Sequence, residues 1–160
     1  MYAVRRWSVR HARGLNAFYR RFEAVICWLH PLWKRMGYAR LERPVAAVER
    51  TVKGLLFDCK MCGQCVLHDT GLTCPMTCPK TLRNGPCGGV RADGTCEVKP
   101  EMRCVWLNAY ERSERLPLWR GDIEDLRPPV DNQLKGSSSW INLLTGRDRE
   151  VPSGWADVET

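Results

Sequence analysis

The chain has 160 residues, 44% hydrophobic and 27% charged, with Lys and Arg outnumbering Asp and Glu 25 to 18. That suffices for one modest domain with a small core, and the longest apolar run, Ala24 to Leu29, is far too short to span a bilayer. The charge of +7 is uneven: residues 1–50 hold eleven Lys and Arg against three Glu, net +8, which leaves −1 for the remainder.

From the start, Leu15, Phe18, Phe22, Val25 and Leu29 recur at helical spacing with Arg13, Arg20, Arg21 and Glu23 between them, so residues 4–30 are expected as an amphipathic helix. Pro31 marks a break or kink. A second helix is expected after Gly37 through Val45, Val48 and Val52, with Pro44 in its first turn and Gly54 near its end. Together, residues 1–53 form a basic helical arm. Arg5 and Arg6 superficially match a twin-arginine signal, but no small-residue cleavage site follows, and a start containing Trp and His without Ser enrichment differs from an organellar transit peptide. A cytoplasmic protein is expected. Charge alone does not choose among nucleic acid, an acidic membrane surface and an acidic protein as the arm's partner.

Residues 54–115 carry the strongest signal. Nine cysteines are present, and eight follow the pattern C-x2-C-x2-C-x8-C-x3-C-x8-C-x8-C-x7-C, namely Cys59, Cys62, Cys65, Cys74, Cys78, Cys87, Cys96 and Cys104. A disulfide scaffold would need export and rarely packs three cysteines this tightly. Three thiolates around a tight loop suit three corners of a cubane cluster, so Cys59, Cys62 and Cys65 are expected to share one 4Fe-4S cluster. Cys74-Pro75 and Cys78-Pro79 both offer a fourth ligand, and the remaining cysteines suffice for a second cluster. Zinc is the alternative, with Cys59/Cys62 and Cys74/Cys78 as knuckles, although Cys65 at a further x2 step is awkward there. Either metal would replace a missing core.

Gly and Pro punctuate residues 58–104 throughout, so the expected fold is a small irregular metal-cluster domain of loops with few short strands. Thr95 to Val98 is the expected strand, after a turn at Asp93-Gly94, and Val105 to Arg115 the expected helix, with Trp106, Leu107 and Tyr110 as its apolar face. His68 reads as a loop histidine and Cys27 as a small buried hydrophobe. Lys60, Lys80, Arg83, Arg91 and Arg103 lie among the cysteines, either offsetting cluster charge or as ordinary surface. Residues 116–160 read as an extended docking tail whose Trp119, Trp140, Ile141, Leu143, Leu144 and Trp155 need cover from the chain's own domain or from another subunit.

Several segments closely resemble the methylenetetrahydrofolate reductase C-terminal family: Leu55-Leu56-Phe57-Asp58-Cys59 through Cys65, Gly71 to Lys80, Leu82 to Val90, and Met102 to Trp106. The likeness is strong over residues 41–115 and extends loosely through Pro128-Pro129-Val130-Asp131, Leu134 and Ser138-Ser139-Trp140. It implies a small subunit, or fused domain, beside the flavin-bearing barrel of a methylenetetrahydrofolate reductase. The eight cysteines would bind two 4Fe-4S clusters that exchange electrons with the partner's FMN, while FMN and folate stay on the partner. The chain would then be a non-catalytic accessory subunit, with Trp119, Trp140 and Trp155 as interface anchors and neither nucleic acid nor membrane as partner. A structural zinc adaptor joining a reductase to a methyltransferase is the other expectation.

Overall fold

The computed structural model describes residues 12–115 and 121–152. Three helices open the described chain: α1 (Ala12–Trp28), α2 (His30–Met36) and α3 (Tyr38–Phe57). The expected residues 4–11 of the first helix lie outside the described part. In α1 the inward face is turned from the one the spacing predicts. Ile26 is buried and Leu15 and Phe22 are half-buried, whereas Phe18 and Val25 face solvent. Cys27 is likewise exposed rather than buried, its neighbour Ile26 taking the inward position.

The chain turns at Leu29, and Pro31 occupies the first turn of α2, where its missing N–H deprives no helical acceptor. Gly37, at φ 85°, then separates α2 from α3. Because α3 starts at Tyr38, Pro44 falls inside the helix rather than in its first turn. No helix among the described residues is long and apolar enough to cross a membrane.

After α3 the backbone is mostly loop. The expected strand at Thr95 to Val98 appears only as two isolated antiparallel bridges, Val90 with Cys96 and Thr95 with Arg103. The Asp93-Gly94 turn does form: Asp93 Oδ1 accepts from the Thr95 amide at 2.9 Å, and Gly94 has φ 81°. Helix α4 (Val105–Ser113) buries Val105, Trp106 and Ala109 and leaves Tyr110 outward. Trp106 Nε1 donates to the Leu82 carbonyl at 2.9 Å, and Arg112 Nη1 donates to Thr73 Oγ1 at 2.8 Å, so α4 braces the cysteine loop.

The end of the described chain is more structured than an extended tail. It contains α5 (Ser139–Thr145) and short turns of 3-10 helix at Asp122–Glu124, Asn132–Leu134 and Arg147–Arg149. Leu134, Trp140 and Ile141 are buried. The segment is stitched to the cysteine loop by polar groups: the Gly136 amide donates to the Met61 carbonyl at 2.8 Å, and Asn142 Nδ2 donates to the Gly63 carbonyl at 2.8 Å. Gln64 accepts from the Asp131 amide at 2.9 Å and donates to the Asp148 carbonyl at 3.2 Å. Trp140 therefore serves the interior, packing edge-on against Phe22 at 4.7 Å, and is not an exposed anchor. Trp119 and Trp155 lie outside the described residues. The compact apolar cluster is small, built on Leu67, Leu72 and Cys74 with Leu15, Phe57 and Met76 against it.

Candidate metal centre

Helix α3 delivers the first cysteine. Asp58 ends the helix in the left-handed conformation at φ 54°, which short polar side chains tolerate better than most, and the Cys59 amide donates to the Lys53 carbonyl at 3.3 Å. Met61 and Gly63 also have positive φ, so the C-x2-C-x2-C stretch curls tightly. A Cβ at Gly63 would collide with the Leu134 backbone, which explains a glycine there. Thr70 Oγ1, 2.6 Å from the Thr73 carbonyl, helps close the next loop, and Gly71 passes so close to Arg112 and Ser113 that it admits no side chain. The chain thereby returns Cys74 to the first three cysteines.

Cys59, Cys62, Cys65 and Cys74 line one cavity. Of the two Cys-Pro cysteines between which the spacing did not choose, Cys74 shares the triplet's cavity and Cys78 does not. Cys87 and Cys104 line a second, more open cavity of about 320 Å³ with Trp106, Leu107 and Tyr110. Cys78 follows the Pro75–Thr77 turn and Cys96 is buried beside Val90; neither lines the two cavities. All nine cysteines are free thiols. Among the described residues, no three His, Cys, Asp or Glu side chains form a group arranged to hold a single metal ion.

The first cavity is electrostatically distinct. A hydrogen bond from Cys74, the Met61 N–H and the charge of Lys53 outweigh burial and bring the Cys59 thiol down to about 7. The same contact with Cys59, then burial, pushes Cys74 up. Burial followed by the neighbouring Cys65 raises Cys62. His68 is elsewhere: its Nε2 sits 2.8 Å from Asp69 Oδ1, and burial, then Arg127, lowers its pKa.

Two cations at this cavity have no exposed counterpart. Lys53 is 2% exposed and Arg83 3%, whereas Lys60, Lys80, Arg91 and Arg103 lie at the surface. Lys53 Nζ donates to Glu49 Oε1 at 2.7 Å and to Ser139 Oγ at 2.9 Å, and lies 4.9 Å from the centre of the Trp140 ring. Burial pulls its pKa down, but Cys65, Glu49 and Tyr19 prevail and hold the ammonium above its ordinary value. Arg83 Nε donates to the Gln64 carbonyl at 2.7 Å. The spacing of Glu49 and Lys53 reads as a surface i,i+4 pair, so sequence reasoning passed over both.

Four unpaired thiols around one cavity, with a backbone N–H directed at one sulfur and two buried cations alongside, are a donor set suited to an anionic iron-sulfur cluster. No curated protein and no solved structure matches the chain. A family model described as methylene-tetrahydrofolate reductase C terminal matches residues 38–133, from the first residue of α3 to the Asn132–Leu134 turn. The chain belongs to that family.

Proposed function

We propose that this chain is an iron-sulfur electron-transfer subunit of a methylenetetrahydrofolate reductase, working in one-carbon metabolism beside a flavin-bearing catalytic partner. Cys59, Cys62, Cys65 and Cys74 hold one 4Fe-4S cluster, and a second would draw on Cys87 and Cys104, which share the other cavity, together with Cys78 and Cys96, which lie outside it. The observation that carries the reading is the convergence of four free thiols on one cavity within the family's own segment. Bound clusters supply one-electron carrier chemistry, and the partner's FMN performs the two-electron conversion between methylene- and methyl-tetrahydrofolate. This chain's residues contribute the thiolates, the enclosure that excludes water, and the buried cations.

The docking surface for the flavoprotein is the outer face of α1 and α2. Phe18 is 67% and Trp28 78% exposed, with Val25 and Leu32 also outward and Arg20, Arg21 and Arg35 at the surface nearby. The face connects inward through packed rings: Phe18 stacks on Phe22 at 6.4 Å, Phe22 meets Trp140, and Trp140 lies beneath Lys53 at the cavity wall. A partner seated on Phe18 is therefore separated from the thiols by only a few side chains.

The test is anaerobic mixing of the chain with its flavoprotein partner. Dithionite should bleach visible absorbance that belongs to this chain, and the reduced chain should then reduce the partner's FMN. A chain with no bleachable absorbance that still assembles the complex would instead be a structural zinc adaptor.

A further inference from the structure

Lys53 needs an explanation that the fold alone does not supply. Lysine is almost never fully buried unless paired, and Lys53 is enclosed together with a carboxylate, Glu49, that is 1% exposed. Glu49 is already held without it: Ser138 Oγ donates to Glu49 Oε2 at 2.7 Å, and Ser139 Oγ donates to Oε1. An uncharged donor at position 53 would complete that network. The ammonium is set apart by its position, because Lys53 lines the cavity formed by Cys59, Cys62, Cys65 and Cys74. Its own carbonyl accepts from the Cys59 amide, which ties the first cysteine to the last turns of α3, while Glu49 Oε1 and Ser139 Oγ hold the ammonium itself.

We infer that Lys53 sets the reduction potential of the cluster held by Cys59, Cys62, Cys65 and Cys74, its enclosed positive charge favouring the reduced form, with Glu49, Ser139 and the Trp140 ring fixing the ammonium in place. The inference rests on the cluster reading proposed above. A cluster bound there would supply one-electron carrier chemistry toward the partner's flavin; this chain's own part is to keep a positive charge beside the four thiols, so that an added electron would need no accompanying proton. Added negative charge in a poorly solvated site is stabilised by a cation nearby far more than it would be in water. Arg83 shares the cavity, but it also holds the Gln64 carbonyl and Asn84 Oδ1, so Lys53 is the cleaner position to change.

The full chain, co-purified anaerobically with its reductase partner, is assayed for iron and sulfide and titrated with dithionite under EPR. The signal followed is the one that Cys62→Ser removes. Lys53→Met should move its midpoint potential negative, Lys53→Arg should leave it near wild type, and Glu49→Gln should move it positive. Full iron content in Lys53→Met with an unmoved potential overturns the inference and leaves the cluster reading intact. If Lys53→Met loses its cluster, Lys53→Gln decides: a negative shift supports the inference and an unmoved potential overturns it. A wild-type chain without iron and sulfide removes both readings.

Discussion

Ser138 and Glu49 meet across 2.7 Å in a place closed to solvent, joining residues 89 positions apart. Ser138 also caps α5, its Oγ accepting from the Ile141 amide. One hydroxyl thus starts the last helix and anchors it to α3. Ser138→Ala should cost about 1–3 kcal/mol, since it removes a cap and a charged hydrogen bond. Glu49→Ala should cost more, about 3–5 kcal/mol, because it strands the buried Lys53 ammonium. Urea unfolding of both variants gives the order; equal costs would mean that the ion pair contributes little.

Gly63→Ala should separate residues 131–149 from the cysteine loop. The new methyl would strike the Leu134 backbone at a residue whose φ is 79°, and strain of this kind costs on the order of 1–3 kcal/mol before the clash is added. Limited proteolysis should cut within 131–149 faster than in the parent, whereas Gly85→Ala, where a Cβ meets open space, should behave like the parent.

Replacing Trp28 and Leu32 with Ser should weaken binding to the reductase without unfolding the chain, because both side chains already face water. A hot-spot loss of more than about 1.4 kcal/mol corresponds to about tenfold in Kd. Titration calorimetry on the anaerobic pair reads this directly. An unchanged Kd would relocate the docking surface.

In metal-free protein the thiols should report their environments. Cys59 is depressed to about 7, so its thiolate contribution to stability is present above the ordinary thiol value of 9 and lost as pH falls through 7; Cys74, raised, works in the opposite sense. Alkylation at Cys59 should climb steeply up to about pH 7 and level off above it, with Cys74 slow throughout. Mass spectrometry of peptides after timed iodoacetamide exposure separates the two.

The cysteine spacing made the triplet and the family legible, because cysteine periodicity and Cys-Pro steps are local features. It did not choose between Cys74 and Cys78, since that depends on how the loop from 66 to 73 closes around Thr70 and Gly71. The Lys53 site was hidden for a related reason: its burial comes from Ser139, 86 residues away. Trp140 looked like an anchor because tryptophan in a Ser- and Pro-rich tail resembles one, and only its contact with Phe22 shows it facing inward. The predicted strand failed because residues 95–98 find partners one at a time, at Val90 and Arg103, rather than along a ladder.

The most direct measurement is the metal and acid-labile sulfide content of the chain purified without oxygen together with its reductase. Two 4Fe-4S clusters predict about eight iron and about eight sulfide per chain, with Cys74→Ser losing about half and Cys27→Ser losing none. Stoichiometric zinc without sulfide would contradict the account.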